Sequence, residues 1–115
     1  MIGMSQFFAI RKACPEMEAY MPKYVAAYDY HKHRDYKKLY DLMEQLGGVR
    51  ILESMWLVAV NATAPELRDA LVSLGDGDES FVVLELVPDA DWATVFVPRI
   101  ANQWLSKNVA EGVSR

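Results

Sequence analysis

From Lys23 onward, apolar and polar positions fall into regular runs. Tyr24-Val25-Ala26-Ala27-Tyr28 is a short aromatic and β-branched run that reads as a buried strand ending at Asp29. Strand alternation sets Lys23, Val25, Ala27 and Asp29 on one side of it. A polar stretch, Tyr30-His31-Lys32-His33-Arg34, follows, and Asp35 has the chemistry of an N-cap for a helix over 36–46. In that span Tyr36, Leu39, Tyr40, Met43 and Leu46 recur on one face of a 3.6-residue period, and Gly47-Gly48 is a C-terminal stop. Residues 49–60 lack Gly and Pro and are rich in Val, Ile, Leu and Trp. The run is too long for one ordinary strand, which predicts two with a break near Glu53-Ser54-Met55. Thr63 and Glu66 have capping-box spacing, and Leu67, Ala70, Leu71 and Leu74 form the stripe of a second helix before Gly75. After the acidic loop Asp76-Gly77-Asp78-Glu79, residues 81–87 read as a strand bounded by Pro88. Pro98 then opens a short amphipathic helix carrying Ile100, Ala101, Trp104 and Leu105.

The order strand, helix, strand, strand, helix, strand predicts an α+β fold. It is the ferredoxin-like βαββαβ pattern, an antiparallel sheet with two helices on one face, here followed by a C-terminal segment and short helix. The predicted domain spans 23–108, with 109–115 as a frayed tail. Residues 1–22 hold four of the six methionines and no period. They read as an N-terminal extension, disordered or a short helix, or as sequence upstream of a true start at Met21.

Length and composition narrow the class. At 115 residues and 13.1 kDa the chain suits one domain, and 52% apolar with 24% charged residues argues against disorder. No apolar run approaches the roughly 18 residues of a membrane span, and no secretory pattern opens the chain. A lone cysteine, Cys14, forms no internal disulfide, which fits a cytoplasmic protein. The net charge of -4 weighs against tight, sequence-independent nucleic-acid binding. Its distribution is uneven: 30–38 carries Lys32, Arg34, Lys37 and Lys38 against Asp35, whereas 53–91 carries nine acids against Arg68 alone.

No phosphate loop, nucleophile elbow or zinc-type Cys/His framework is present in the sequence. Asp29 stands out because a carboxylate where a strand leaves its sheet suits a hard cation such as magnesium. One carboxylate is a weak site, but two copies with facing Asp29 residues would hold one ion near a dimer axis. The plainer role for Asp29 is to cap a turn or pair with Lys32 or Arg34. His31 and His33 are of the residue type that serves as acid, base or phosphate-binding group, or are simply exposed loop residues. Lys32, Arg34, Lys37 and Lys38 suit a phosphate backbone, with Tyr28, Tyr30 and Tyr36 as stacking surfaces, or else a solvated helix start with core tyrosines. Ser54 is a structural hydroxyl at a strand break, or a phosphate contact if it lies at the same sheet end as Asp29. The apolar stretches 81–87 and 92–96 exceed what a small sheet edge should expose, so either a second subunit or the chain's own C-terminal segment covers them.

The run from Tyr24 to Asp29, the helix beginning Asp35-Tyr36-Lys37-Lys38-Leu39-Tyr40 and the hairpin Leu52-Glu53-Ser54-Met55-Trp56-Leu57-Val58 resemble small SinR-like proteins. These are related to the Cas-two family of CRISPR adaptation subunits. Glu66-Leu67-Arg68-Asp69, Phe81-Val82-Val83-Leu84-Glu85, Trp92-Ala93 and Ala101-Asn102-Gln103-Trp104-Leu105 extend the resemblance over about 23–108. It implies a ferredoxin-like fold and a homodimer built through the last strand and C-terminal segment. It further implies that Asp29 is the metal ligand of a magnesium-dependent endonuclease acting on RNA or single-stranded nucleic acid, with Ser54 in the family's serine motif. The nucleic-acid contacts would be His31, Lys32, His33, Arg34, Lys37 and Ser54. Members also act without catalysis, so a dimeric module that binds nucleic acid or a protein partner, or a toxin-like or prophage regulator, are the alternatives.

Overall fold

A computed structural model describes residues 21–29, 36–75 and 77–114 of the chain. β1 spans Lys23–Tyr28, and its alternation is physical: Tyr24, Ala26 and Tyr28 are buried while Lys23, Val25 and Ala27 are partly covered on the opposite face. α1 (Lys37–Gln45) leads to β2 (Val49–Leu52) and β3 (Met55–Ala59). α2 (Ala64–Val72) leads to β4 (Phe81–Glu85). The four strands form an antiparallel sheet in the order β2-β3-β1-β4. Each helix therefore connects two strands that are separated by one neighbour, and the architecture is α+β.

Local chemistry sets the element ends. In α2 the Thr63 hydroxyl accepts the Glu66 N–H at 3.2 Å and the Glu66 carboxylate accepts the Thr63 N–H at 2.8 Å, satisfying two otherwise orphaned donors. α1 stops in a Schellman motif. Gly48 N–H donates to the Met43 carbonyl and Gly47 N–H to the Glu44 carbonyl, with Gly47 at φ 78°, a left-handed conformation glycine adopts without strain. The N-terminal end of α1 differs from expectation: Tyr36 occupies the N-cap position and makes no side-chain cap bond, and Asp35 lies outside the described residues. The strand break predicted near Glu53-Ser54-Met55 is the turn between β2 and β3, with a register shift between Arg50 and Leu52.

The sheet has two differently covered faces. On one, Tyr24, Ala26, Tyr28, Trp56 and Val58 pack against Leu39, Leu42 and Met43 of α1 and Leu67, Ala70 and Leu71 of α2. On the other, a third helix, α3 (Arg99–Asn108), buries Ala101 and Leu105 against Ile51 and Leu57. The predicted apolar face of α3 is corrected at one position, since Ile100 is exposed. Residues 109–114, expected to fray, instead hold contacts. Val109 is buried, the Trp92 indole donates to the Ala110 carbonyl, and β6 (Val113–Ser114) pairs in parallel with β5 (Ala93–Thr94). Gly112 permits this closure, because a side chain there would overlap the Trp92 ring. Met21 and Pro22, placed in the extension from sequence, join the folded body: Met21 is buried and the Pro22 carbonyl accepts the Val60 N–H. The remainder of the expected extension, 1–20, lies outside the described residues.

No charged residue is buried among the described residues, yet two polar atoms are enclosed without partners, the Tyr28 hydroxyl and the Trp56 indole N–H. Burial pushes the Tyr28 phenol well above the ordinary tyrosine pKa. A desolvated, unbonded hydroxyl destabilises a core, so Tyr28→Phe, which keeps the ring contacts to Tyr36 and Phe81, should leave stability unchanged or raise it by about 1 kcal/mol. Urea unfolding measures this. A loss of more than about 1 kcal/mol would place a partner on the hydroxyl, a bound water or the neighbouring Trp56 or Tyr40 side chain.

Candidate metal and nucleic-acid site at the end of the first strand

Asp29 follows the last residue of β1 and is exposed. Its backbone is held from two sides: its N–H donates to the Ser80 carbonyl at 3.1 Å, and its own carbonyl accepts the Tyr36 hydroxyl at 3.1 Å. One residue earlier, the Tyr28 N–H donates to the Ser54 carbonyl at 3.1 Å. Asp29, Ser54, Ser80 and the start of α1 are thus gathered at one end of the sheet. Ser54 lies at the same sheet end as Asp29 and is partly buried.

Lys37 opens α1 at this end. Its ammonium pairs with Asp41 at 2.8 Å, with the two side chains 75% and 49% exposed. A pair so open to water holds weakly, about 0–1 kcal/mol. The first turn of α1 has no acidic residue and no side-chain cap, so its amide groups add a modest positive potential here. His31, Lys32, His33 and Arg34 belong to 30–35, outside the described residues. The described residues on either side of it, Asp29 and Tyr36, are joined by a hydrogen bond.

The metal chemistry is limited by ligand number. No group of three or more His, Cys, Asp or Glu side chains that could hold a metal exists among the described residues. Asp29 is a hard, exposed oxygen donor of the kind that suits magnesium retaining its waters, but it is the single carboxylate of the arrangement described.

Asp29 also shares a sheet face with an uncovered apolar strip. Register pairs Val25 with Leu84 and Ala27 with Val82, so all four side chains lie on the Asp29 side. α3 covers this face over β2 and β3, whereas Val82 and Leu84 on the edge strand are 52% and 59% exposed. Sequence reasoning identified Asp29 and Ser54 but missed the Tyr36 hydroxyl as the group that holds the Asp29 backbone. Its place in the apolar stripe of α1 concealed that polar role.

No protein-family model matches the chain, and no solved structure matches it. No described helix is long and apolar enough to cross a membrane.

Tyr36→Phe tests the local framework. Loss of the bond to the Asp29 carbonyl should cost about 1 kcal/mol in urea unfolding, with helix content by circular dichroism unchanged. An unchanged midpoint would mean that water replaces the phenol without penalty.

Proposed function

We propose that the chain acts as a homodimer that cleaves RNA or single-stranded nucleic acid, with magnesium held between two copies of Asp29. The proposed scaffold is the ferredoxin-like arrangement, akin to SinR-like relatives of the Cas-two family. The order β2-β3-β1-β4, with α1 and α2 each bridging strands that have one neighbour between them, supports that scaffold.

The observation that carries the reading is the position of Asp29 at the end of the open strip formed by Val82 and Leu84. Distances decide how two copies would have to meet. Joining the sheets edge to edge through β4 would separate the two β1 strands by three inter-strand spacings, about 14 Å, too far for one ion to bridge. Sheets packed face to face lie roughly 10 Å apart. Three bonds, Cα–Cβ, Cβ–Cγ and C–O, carry each carboxylate oxygen about 3 Å from its backbone. Opposed carboxylate oxygens would then stand about 4 Å apart, close to twice a magnesium–oxygen bond of about 2.1 Å. Face-to-face packing over the part of the sheet that α3 leaves open is therefore the arrangement that makes a site.

Asp29 from each copy would supply the anionic ligands that hold the cation at the scissile phosphodiester. Lys37, released from its surface pair with Asp41, would contact a non-bridging phosphate oxygen, with His31, Lys32, His33 and Arg34 as further contacts. The Ser54 hydroxyl would hold the adjacent phosphate. Magnesium, when bound, supplies charge neutralisation at phosphorus and lowers the pKa of the attacking water.

The test pairs cleavage with mass. Labelled RNA and single-stranded DNA should be cut in the presence of magnesium by the wild-type protein, and cleavage should fall to background in Asp29→Ala. Sedimentation should give a dimer that Leu84→Glu converts to monomer. Cleavage by Asp29→Ala at the wild-type rate, or a lone-subunit mass at working concentration, overturns the nuclease reading. Salt-dependent binding without cleavage would assign the non-catalytic module instead.

A further inference from the structure

The opposite edge of the sheet carries a second concavity. β2 is its edge strand, and beside it lie the C-terminal half of α1 and the first turn of α3. Between them is a cleft of about 410 Å3, within the range of small-ligand sites, whose walls include Tyr40, Glu44, Val49, Arg50, Trp56 and Ile100. Its shape comes from the end of α1. At Gly48 a Cβ would sit 3.0 Å from the Met43 carbonyl oxygen, 3.2 Å from that of Leu57 and 3.4 Å from the Trp56 ring. Glycine therefore brings the chain down onto β3.

The polar groups of the cleft have a specific arrangement. The Arg50 guanidinium carbon stands 4.9 Å from the Tyr40 ring centroid, a cation–π stack. Arg50 is exposed, so its guanidinium rests on Tyr40 and is still open to solvent. Glu44 is exposed on the same cleft, and neither it nor Arg50 enters an ion pair among the described residues. A planar cation on an aromatic support, a carboxylate and apolar walls from Val49 and Ile100 together match a flat heterocycle that carries hydrogen-bond donors.

Among common planar ligands, guanine places two N–H donors, N1 and the exocyclic amino group, side by side. They match the two oxygens of one carboxylate, whereas adenine, cytosine and uracil lack that adjacent donor pair. We propose that this cleft binds a guanine base, stacked on the Arg50–Tyr40 platform and held along its N1 and amino edge by Glu44. The base is carried either by a free guanine nucleotide or by a single strand. The site goes beyond the Asp29 chemistry and does not depend on it.

Calorimetric titration of the full chain in EDTA, where magnesium-dependent cleavage is silent, separates this inference from the nuclease reading. The probes are GMP, AMP, an oligouridylate and the same oligomer with one central guanosine. The wild-type protein should prefer GMP to AMP, or the guanosine oligomer to its parent, by about tenfold. Arg50→Ala should weaken that binding about tenfold or more, and Glu44→Gln should erase the guanine preference, both with unchanged circular dichroism. Saturation by GMP alone identifies a free nucleotide as the ligand, and saturation by the oligomer alone identifies a strand. Equal affinity for the guanine and non-guanine probes, no binding at millimolar ligand, or undiminished binding by Arg50→Ala overturns the proposal.

Discussion

Tyr24, Ala26 and Tyr28 press one side of a central strand onto two helices, while Val25, Ala27 and Asp29 face the other way. That division of β1 into two opposed sets is the constraint on which the remaining structure rests. A slip of one residue in register would carry Asp29 to the helical side and expose three core side chains. Pairing on both flanks, with β3 and with β4, opposes such a slip, and the Tyr36 hydroxyl pins the strand's end. The candidate chemistry at Asp29 and the packing of the core are consequently one arrangement, viewed from two faces.

Much of this was legible before any coordinates. The period of two along 23–28 and the 3.6-residue period along 36–46 encode which side of each element meets the core. Thr63 with Glu66, and Gly47 with Gly48, encode element ends through local hydrogen bonding that needs no tertiary partner. The destination of α3 was not legible. Ala101 and Leu105 announce an apolar stripe, but a stripe does not say which surface it will cover, and Ile100, equally apolar, stays in solvent. The same limit applies to the site. Asp29 is visible as a strand-end acid, whereas its proximity to Ser54 depends on the β1–β3 register across 24 intervening positions. Arg50 over Tyr40 likewise joins a strand edge to a helix, and no spacing rule relates them.

The C-terminal helix changes what the second face of the sheet can do. By lying over β2 and β3 it removes the apolar surface that a broad sheet-to-sheet contact would use, leaving a narrow strip along β1 and β4. The proposed association over so narrow a strip would depend heavily on the two side chains that remain open, Val82 and Leu84. It also keeps the Asp29 end of the strip near the rim of such a contact, where an extended strand could enter. The β2 edge lies across the sheet from β4, so a ligand in its cleft and a second copy on the open strip would occupy different flanks.

Gly48 draws this cleft's depth from the main chain: the Met43 and Leu57 carbonyls meet where a side chain would otherwise stand. Such a floor cannot be reshaped by exchanging one residue for another of different size without lifting α1 from the sheet. Diversification of this pocket would instead be confined to its rim, at Glu44, Arg50 and Ile100, where a new side chain could alter selectivity while the scaffold beneath stayed the same.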